Sequence, residues 1–121
     1  MQTVTSNSVS NEQTEWENQL LSCKKELTAL NSQLIEFASK NSSKEKLALI
    51  EHFHNQFVIQ NENIDILKHD MHQTTKNFLR IADGSLTDEQ LGIHRQMQDQ
   101  FESEIKVYLD LKKEFEDFIS N

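Results

Sequence analysis

The chain contains 121 residues, and its 20 acidic and 12 basic side chains give a net charge of −8. This length suits one domain, and two glycines with no proline leave too few turn residues for an all-β or nucleotide-binding α/β fold. The acidic balance argues against binding to nucleic acid or to an anionic membrane surface, since both require clustered basic residues. The sequence therefore predicts an all-α protein.

The first ten residues carry no charged side chain and no apolar periodicity, which predicts a polar N-terminal tail over residues 1–10. If the tail is ordered, continuation of the first helix or contact with a neighbouring chain explains it most simply. The sequence begins without a basic segment followed by an apolar one, and no stretch approaches the roughly 18 apolar residues of a membrane span. We expect a cytosolic protein in which residues 11–121 form a single three-helix domain.

The first predicted helix covers residues 11–40 and carries a regular apolar stripe. Its members are separated alternately by four and three positions, the spacing of a coiled-coil heptad. They are Trp16, Leu20, Cys23, Leu27, Leu30, Leu34 and Phe37. Leu21, Ile35 and Ala38 lie beside the stripe and are expected to widen the buried face. Cys23 is the single cysteine, and we interpret it as a buried, small apolar residue.

A polar cluster separates the first helix from a second one, which is predicted over residues 43–82. Ser42 and Glu45 have the spacing of a capping box. The second stripe again alternates spacings of three and four. Its members are Ile50, Phe53, Phe57, Gln60, Ile64, Leu67, Met71, Thr74, Phe78 and Ile81. Gln60 and Thr74 are its polar members, and their burial would fix the register of the helices.

Gly84 marks the clearest turn, because glycine readily adopts the left-handed conformation that follows a helix. The third helix is predicted over residues 87–119, with Thr87 and Gln90 as a capping box. The members of its apolar stripe have a spacing closer to 3.6 residues. They are His94, Met97, Phe101, Ile105, Tyr108, Leu111, Phe115 and Phe118. We interpret His94 as a histidine at the edge of the core that is hydrogen-bonded to a neighbour.

Three helices with short polar connections predict an elongated antiparallel three-helix bundle, a coiled-coil rod with a long middle helix. At about 1.5 Å per residue, the middle helix would be about 60 Å long. Val58, Ile59 and Ile66 lie on this helix away from its stripe. We interpret them as the contact through which the rod forms a homo-oligomer, with a dimer favoured.

The second predicted helix also carries four of the five histidines, and two groups of side chains there have the spacing of metal ligands. Glu51 and His54 form one Glu-x-x-His motif, which di-iron four-helix bundles use twice. The second group consists of Glu62, Asp65, His69 and His72. A metal-binding helical bundle is thus the alternative to a structural or protein-interaction module, although a solvent-exposed polar stripe explains the same pattern. The sequence contains no nucleophile elbow, zinc-protease pair or phosphate-binding loop, so neither enzymatic activity nor a cofactor is expected.

One segment of the second predicted helix resembles known proteins. Residues 52–60 read HFHNQFVIQ, and residues 64–70 read IDILKHD. The segment resembles the middle helix of a group of short uncharacterised all-helical bacterial proteins, which has the pattern Phe-x-Asn-Gln-Phe-Ile and then Ile-Asp-x-Leu-x-His-Asp. The resemblance covers this part of one helix and implies a bacterial cytosolic helical protein. It implies no catalytic residue.

Overall fold

The computed structural model describes residues 5–80 and 84–120, most of which belong to three long helices. α1 spans Ser6–Lys40, α2 spans Lys44–Leu79 and α3 spans Asp88–Ser120. The helices contain 35, 36 and 33 residues, so the middle helix is not distinctly longer than its neighbours. They pack into the all-α bundle that the sequence predicts. Among these three helices none has the length and hydropathy needed to cross a membrane.

The first helix begins earlier than the sequence predicts. α1 starts at Ser6, with the hydroxyl of Thr5 as its N-cap. Val9 and Ser10 are buried, so this part of the predicted polar tail is helix packed into the bundle. The prediction was wrong because uncharged, short polar side chains give a composition typical of tails, whereas here Thr5 caps the helix and Val9 and Ser10 pack into the bundle. Residues 1–4 lie outside the described residues.

The start of α2 is shifted by one residue from the predicted capping box. Ser43 is the N-cap, and its hydroxyl accepts a hydrogen bond from the Lys46 amide at 3.3 Å. The predicted pair of Ser42 and Glu45 was wrong because two adjacent serines precede the helix and both are good N-cap residues. The predicted stop between the first and second helices is confirmed.

The connection from α2 to α3 contains the predicted glycine turn and the predicted capping box. α2 ends at Leu79, before the predicted end at residue 82, and residues 81–83 lie outside the described residues. Gly84 has a φ of 81°, the left-handed conformation expected of it. Thr87 and Gln90 form the predicted capping box, in which each side chain accepts a hydrogen bond from the other residue's amide, at 2.9 and 3.2 Å.

The core is built from the predicted apolar stripes. Every stripe residue of the first and third predicted helices is buried or half-buried. Phe115 is fully buried and meets Phe53 and Phe57 edge-on, with ring centroids 5.5 and 5.1 Å away. These aromatic contacts join α2 and α3 at one end of the bundle.

Three residues depart from their predicted positions. Leu21 and Ile35 are 39% and 63% exposed and therefore do not widen the buried face. They were placed wrongly because neither of the other two helices, over their described residues, covers that side of α1. On α2, Thr75 is buried instead of Thr74. The physical reason is Gln13 of α1, which accepts a hydrogen bond from the Thr75 hydroxyl at 2.7 Å and so draws that residue into the core.

Contacts between side chains show how the helices face one another. The pairs of α1 with α2 include Gln13 with Thr75, Lys24 with Asp65, and Asn31 with His54. The pairs of α1 with α3 include Trp16 with His94, and Phe37 with Phe118. Contacts at higher residue numbers of α1 therefore involve lower residue numbers of α2 and higher residue numbers of α3. Each helix contacts both of the others.

Candidate functional site

Val58, Ile59 and Ile66 lie on the outer surface of α2, where the sequence places them. Their exposed fractions are 43%, 48% and 62%. Val58 borders a groove between α1 and α2, whereas Ile66 borders another groove between α2 and α3. Val58 and Ile66 thus lie on the same helix but border two different grooves.

The groove between α1 and α2 encloses about 210 Å³ and has an apolar floor. Leu27, Phe57 and Val58 form the floor, and polar side chains form the rim. The rim residues are Lys24, Thr28, Asn31, His54 and Asn61. Two pairs bridge the helices: Lys24 with Asp65 at 2.5 Å, and Asn31 with His54 at 3.3 Å. Because these polar groups are paired with each other, the groove suits an apolar side chain better than an ion.

The groove between α2 and α3 encloses about 490 Å³, and most of the residues that line it are polar. Ile66 and Leu67 supply its apolar part. Its other lining residues are Asn63, Asp70, Gln96, Asp99, Gln100, Ser103 and Glu104. Glu104 is half-buried and accepts a hydrogen bond from the buried Gln60 amide. Burial raises the pKa of the Glu104 carboxyl, because the charged form loses hydration in this position.

Glu104→Gln is expected to raise the thermal stability of the protein at neutral pH. Since the pKa of Glu104 is higher in the folded chain, ionisation destabilises the fold. The loss of stability caused by ionisation is absent when the pH is below the ordinary carboxyl pKa, and it is complete when the pH is above the raised pKa. Glutamine still offers an oxygen to Gln60 and carries no charge.

Thermal unfolding followed by circular dichroism checks this expectation. The variant should melt above the wild type at neutral pH and at the same temperature in acid. Glu114→Gln, at an exposed position of the same helix, controls for the change in net charge. An equal gain from both variants would contradict the role of burial.

The six side chains considered as metal ligands are dispersed. Within residues 5–80 and 84–120, no group of three or more His, Cys, Asp and Glu side chains is placed to hold a metal ion. Three of the six have partners on α1: His54 with Asn31, Asp65 with Lys24, and His72 with Glu17 at 3.5 Å. The others are exposed: Glu51, Glu62 and His69. The metal-binding interpretation therefore stays a prediction, and the described residues contain no preformed set of ligands for it.

A chain of polar contacts joins all three helices at one end of the bundle. The Thr75 hydroxyl donates to Oε1 of Gln13, and Nε2 of Gln13 donates to Nδ1 of His94 at 3.1 Å. Nε2 of His94 lies 3.4 Å from the Glu12 carboxylate, and the Trp16 ring stacks on the imidazole at 5.0 Å. Because Nδ1 accepts a hydrogen bond, the ring proton is on Nε2 and faces Glu12. The prediction of a hydrogen-bonded histidine in the core is confirmed.

Cys23 has the surroundings of a structural residue. Its thiol is free and 7% exposed. Burial raises the pKa of the thiol, and the carboxylates of Glu26 and Glu104 raise it further. A cysteine nucleophile needs a lowered pKa, so this environment opposes thiolate chemistry. The interpretation of Cys23 as a buried small residue is confirmed.

The sequence analysis missed two polar residues on the inward sides of their helices, the buried Gln13 and the half-buried Glu104, although their spacing indicates both. Gln13 lies three positions before Trp16 and extends the stripe of α1. Glu104 lies between Phe101 and Tyr108, at spacings of three and four, and completes the stripe of α3. Both were passed over because a stripe is recognised by its apolar members. Continuing the alternation through polar residues identifies both positions.

Comparison with known proteins identifies no relative of this chain. No protein-family model matches it, and no curated protein or solved structure matches it significantly.

Proposed function

We propose that this chain is a cytosolic, non-enzymatic structural or protein-interaction module that associates with itself, with a dimer as the favoured state. Its architecture in this proposal is an elongated antiparallel three-helix rod. The order of contacts along the helices supports this architecture, as does a helix length of about 50 Å at 1.5 Å per residue. The single unpaired cysteine suits a reducing compartment.

The area of exposed surface is the observation that carries this proposal. The chain exposes 8039 Å², whereas a compact monomer of its mass, 14.2 kDa, is expected to expose about 6,800 Å². A standard interface covers about 800 Å² per partner. Self-association of that size would remove about two thirds of the excess.

The exposed aliphatic residues of α2 indicate where the contact lies. Val58, Ile59 and Ile66 are β-branched, so they lose little rotamer freedom on burial. Removing apolar surface from water is worth about 25 cal/mol per Å². These side chains therefore favour association at a smaller entropic cost than long polar ones.

The double variant Val58→Glu/Ile59→Glu is expected to be monomeric at concentrations where the wild type is a dimer. An unpaired carboxylate buried in an interface costs several kcal/mol, so the dissociation constant should rise by at least about 100-fold. Sedimentation equilibrium from low to high micromolar concentration measures this change. The wild-type mass should approach twice 14.2 kDa.

Leu109→Glu provides a matched control, because Leu109 is a similarly exposed aliphatic residue on α3. It should leave the mass unchanged. A wild-type chain that keeps a mass of 14.2 kDa at high micromolar concentration would contradict self-association.

A further inference from the structure

A second set of exposed apolar residues lies on α1, beside the contacts with α2. The α1 residues that meet polar groups of α2 near the surface of the bundle include Glu17, Lys24 and Asn31. Because residues three and four positions apart are neighbours on a helix, Leu21, Thr28 and Ile35 form a row next to them. Leu21 and Ile35 are exposed, and Thr28 lines the groove between α1 and α2. The surface contact of α1 with α3, from Glu26 to Lys112, lies on the opposite edge of α1.

α2 supplies apolar residues to the same side of the bundle. Val58 lies four residues after His54 and lines the groove opposite Thr28. Leu47, seven residues before His54, follows the same edge of α2 and is exposed. These residues define the α1–α2 face, which comprises Leu21, Thr28, Ile35, Leu47 and Val58. Its α1 row extends over about 21 Å at 1.5 Å per residue.

The α1–α2 face has balanced charge, whereas α3 is strongly acidic. Six charged residues of α1 and α2 share the heptad positions of this face and of the contacts beside it, and three are acidic and three basic: Glu17, Glu51, Asp65, Lys24, Lys44 and Lys68. α3 carries nine acidic and four basic residues, so −5 of the net charge of −8 lies on this helix. Two copies of the chain repel each other least when their α3 helices are far apart.

We infer that a second copy of this chain occupies the α1–α2 face, with both α3 helices on the outside of the dimer. The inference rests on the proposed self-association and specifies the side of α2 on which it occurs. Val58 belongs to both surfaces and lies at the centre of the interface. Two copies related by a two-fold axis present this face to each other and cover the apolar floor of both grooves.

Glutamate substitutions on α1 and on α3, the helices that flank α2, test this arrangement. Ile35→Glu on α1 should raise the dissociation constant by at least about 100-fold. Val107→Glu, at a similarly exposed position of α3, should leave it unchanged. Sedimentation velocity measures association, and far-ultraviolet circular dichroism verifies that each variant keeps its helices. Ile35→Gln, which adds no charge, is the second variant if Ile35→Glu loses helicity, and it should also weaken the dimer.

The outcomes separate this inference from the proposed function. A dimer that Ile35→Glu leaves intact, or that Val107→Glu dissociates, overturns the α1–α2 face while self-association stands. A wild-type monomer at high micromolar concentration overturns both. Dissociation by Ile35→Glu alone, with unchanged helicity, supports the inference.

Discussion

Gln13→Ala is expected to lower the free energy of unfolding by about 3 to 5 kcal/mol. Gln13 is fully buried, accepts a hydrogen bond from Thr75 and donates one to His94. Its removal leaves two buried polar groups without these partners, at about 1–3 kcal/mol each, and a cavity in addition. Urea denaturation followed by circular dichroism, at a protein concentration where the wild type is monomeric, measures the loss.

A matched control separates burial from the loss of a glutamine. Gln19 lies on the same helix and is exposed, so Gln19→Ala should change the free energy of unfolding by less than about 0.5 kcal/mol. Thr75→Val removes one end of the polar chain and should cost less than Gln13→Ala. In the double variant the two losses should not add, because both remove the same hydrogen bond. Equal effects of Gln13→Ala and Gln19→Ala would contradict the structural role of the polar chain.

The same polar contacts show how far the register of the helices can be predicted from sequence. Gln60 was expected to fix register, and it is buried and bonded to Glu104 of another helix. Thr74 was expected to do so as well, but Thr75 takes that place opposite Gln13. Spacing along one helix identifies a polar position near the stripe. The choice between neighbouring positions depends on a partner on another helix, which spacing does not specify.

The apolar stripes likewise predict the features that depend on one helix and leave out those that depend on neighbouring helices. The alternation of three and four residues predicts three helices and their buried sides, because it depends on one helix at a time. It does not predict how wide each buried side is. Leu21 and Ile35 lie one position beyond the stripe, and such residues are buried only when another helix covers them. No helix within the described residues covers them, and in the inferred dimer a second copy of the chain does.

The candidate contact on α2 was likewise predictable only in part. The heptad pattern places Val58 and Ile66 outside the core, and both are exposed. It does not show that they border separate grooves, since the neighbours of a surface residue come from other helices. The pairing of His54 with Asn31 and of Asp65 with Lys24 is also tertiary. Spacing suited to metal ligands therefore occurs on α2 without a gathered ligand set among the described residues.

Phe115→Ala is expected to reduce the free energy of unfolding by about 3–5 kcal/mol. Phe115 is fully buried, and its ring meets Phe53 and Phe57 at interplanar angles of 68° and 78°. Alanine removes the apolar surface and the favourable edge-to-face contacts, which add about 0.5–1.5 kcal/mol per pair. Urea denaturation monitored by circular dichroism gives the difference from the wild type.

Two variants show whether the loss comes from the cavity at this position. Phe115→Leu keeps most of the volume and should cost clearly less than Phe115→Ala, because a smaller cavity remains. Val107→Ala shortens an exposed side chain of the same helix and should cost less than about 0.5 kcal/mol. If Phe115→Ala were as mild as Val107→Ala, the rings of Phe53 and Phe57 would have to close the cavity. The aromatic cluster would then be adaptable, and the polar chain around Gln13 would be the stronger constraint on how the three helices pack.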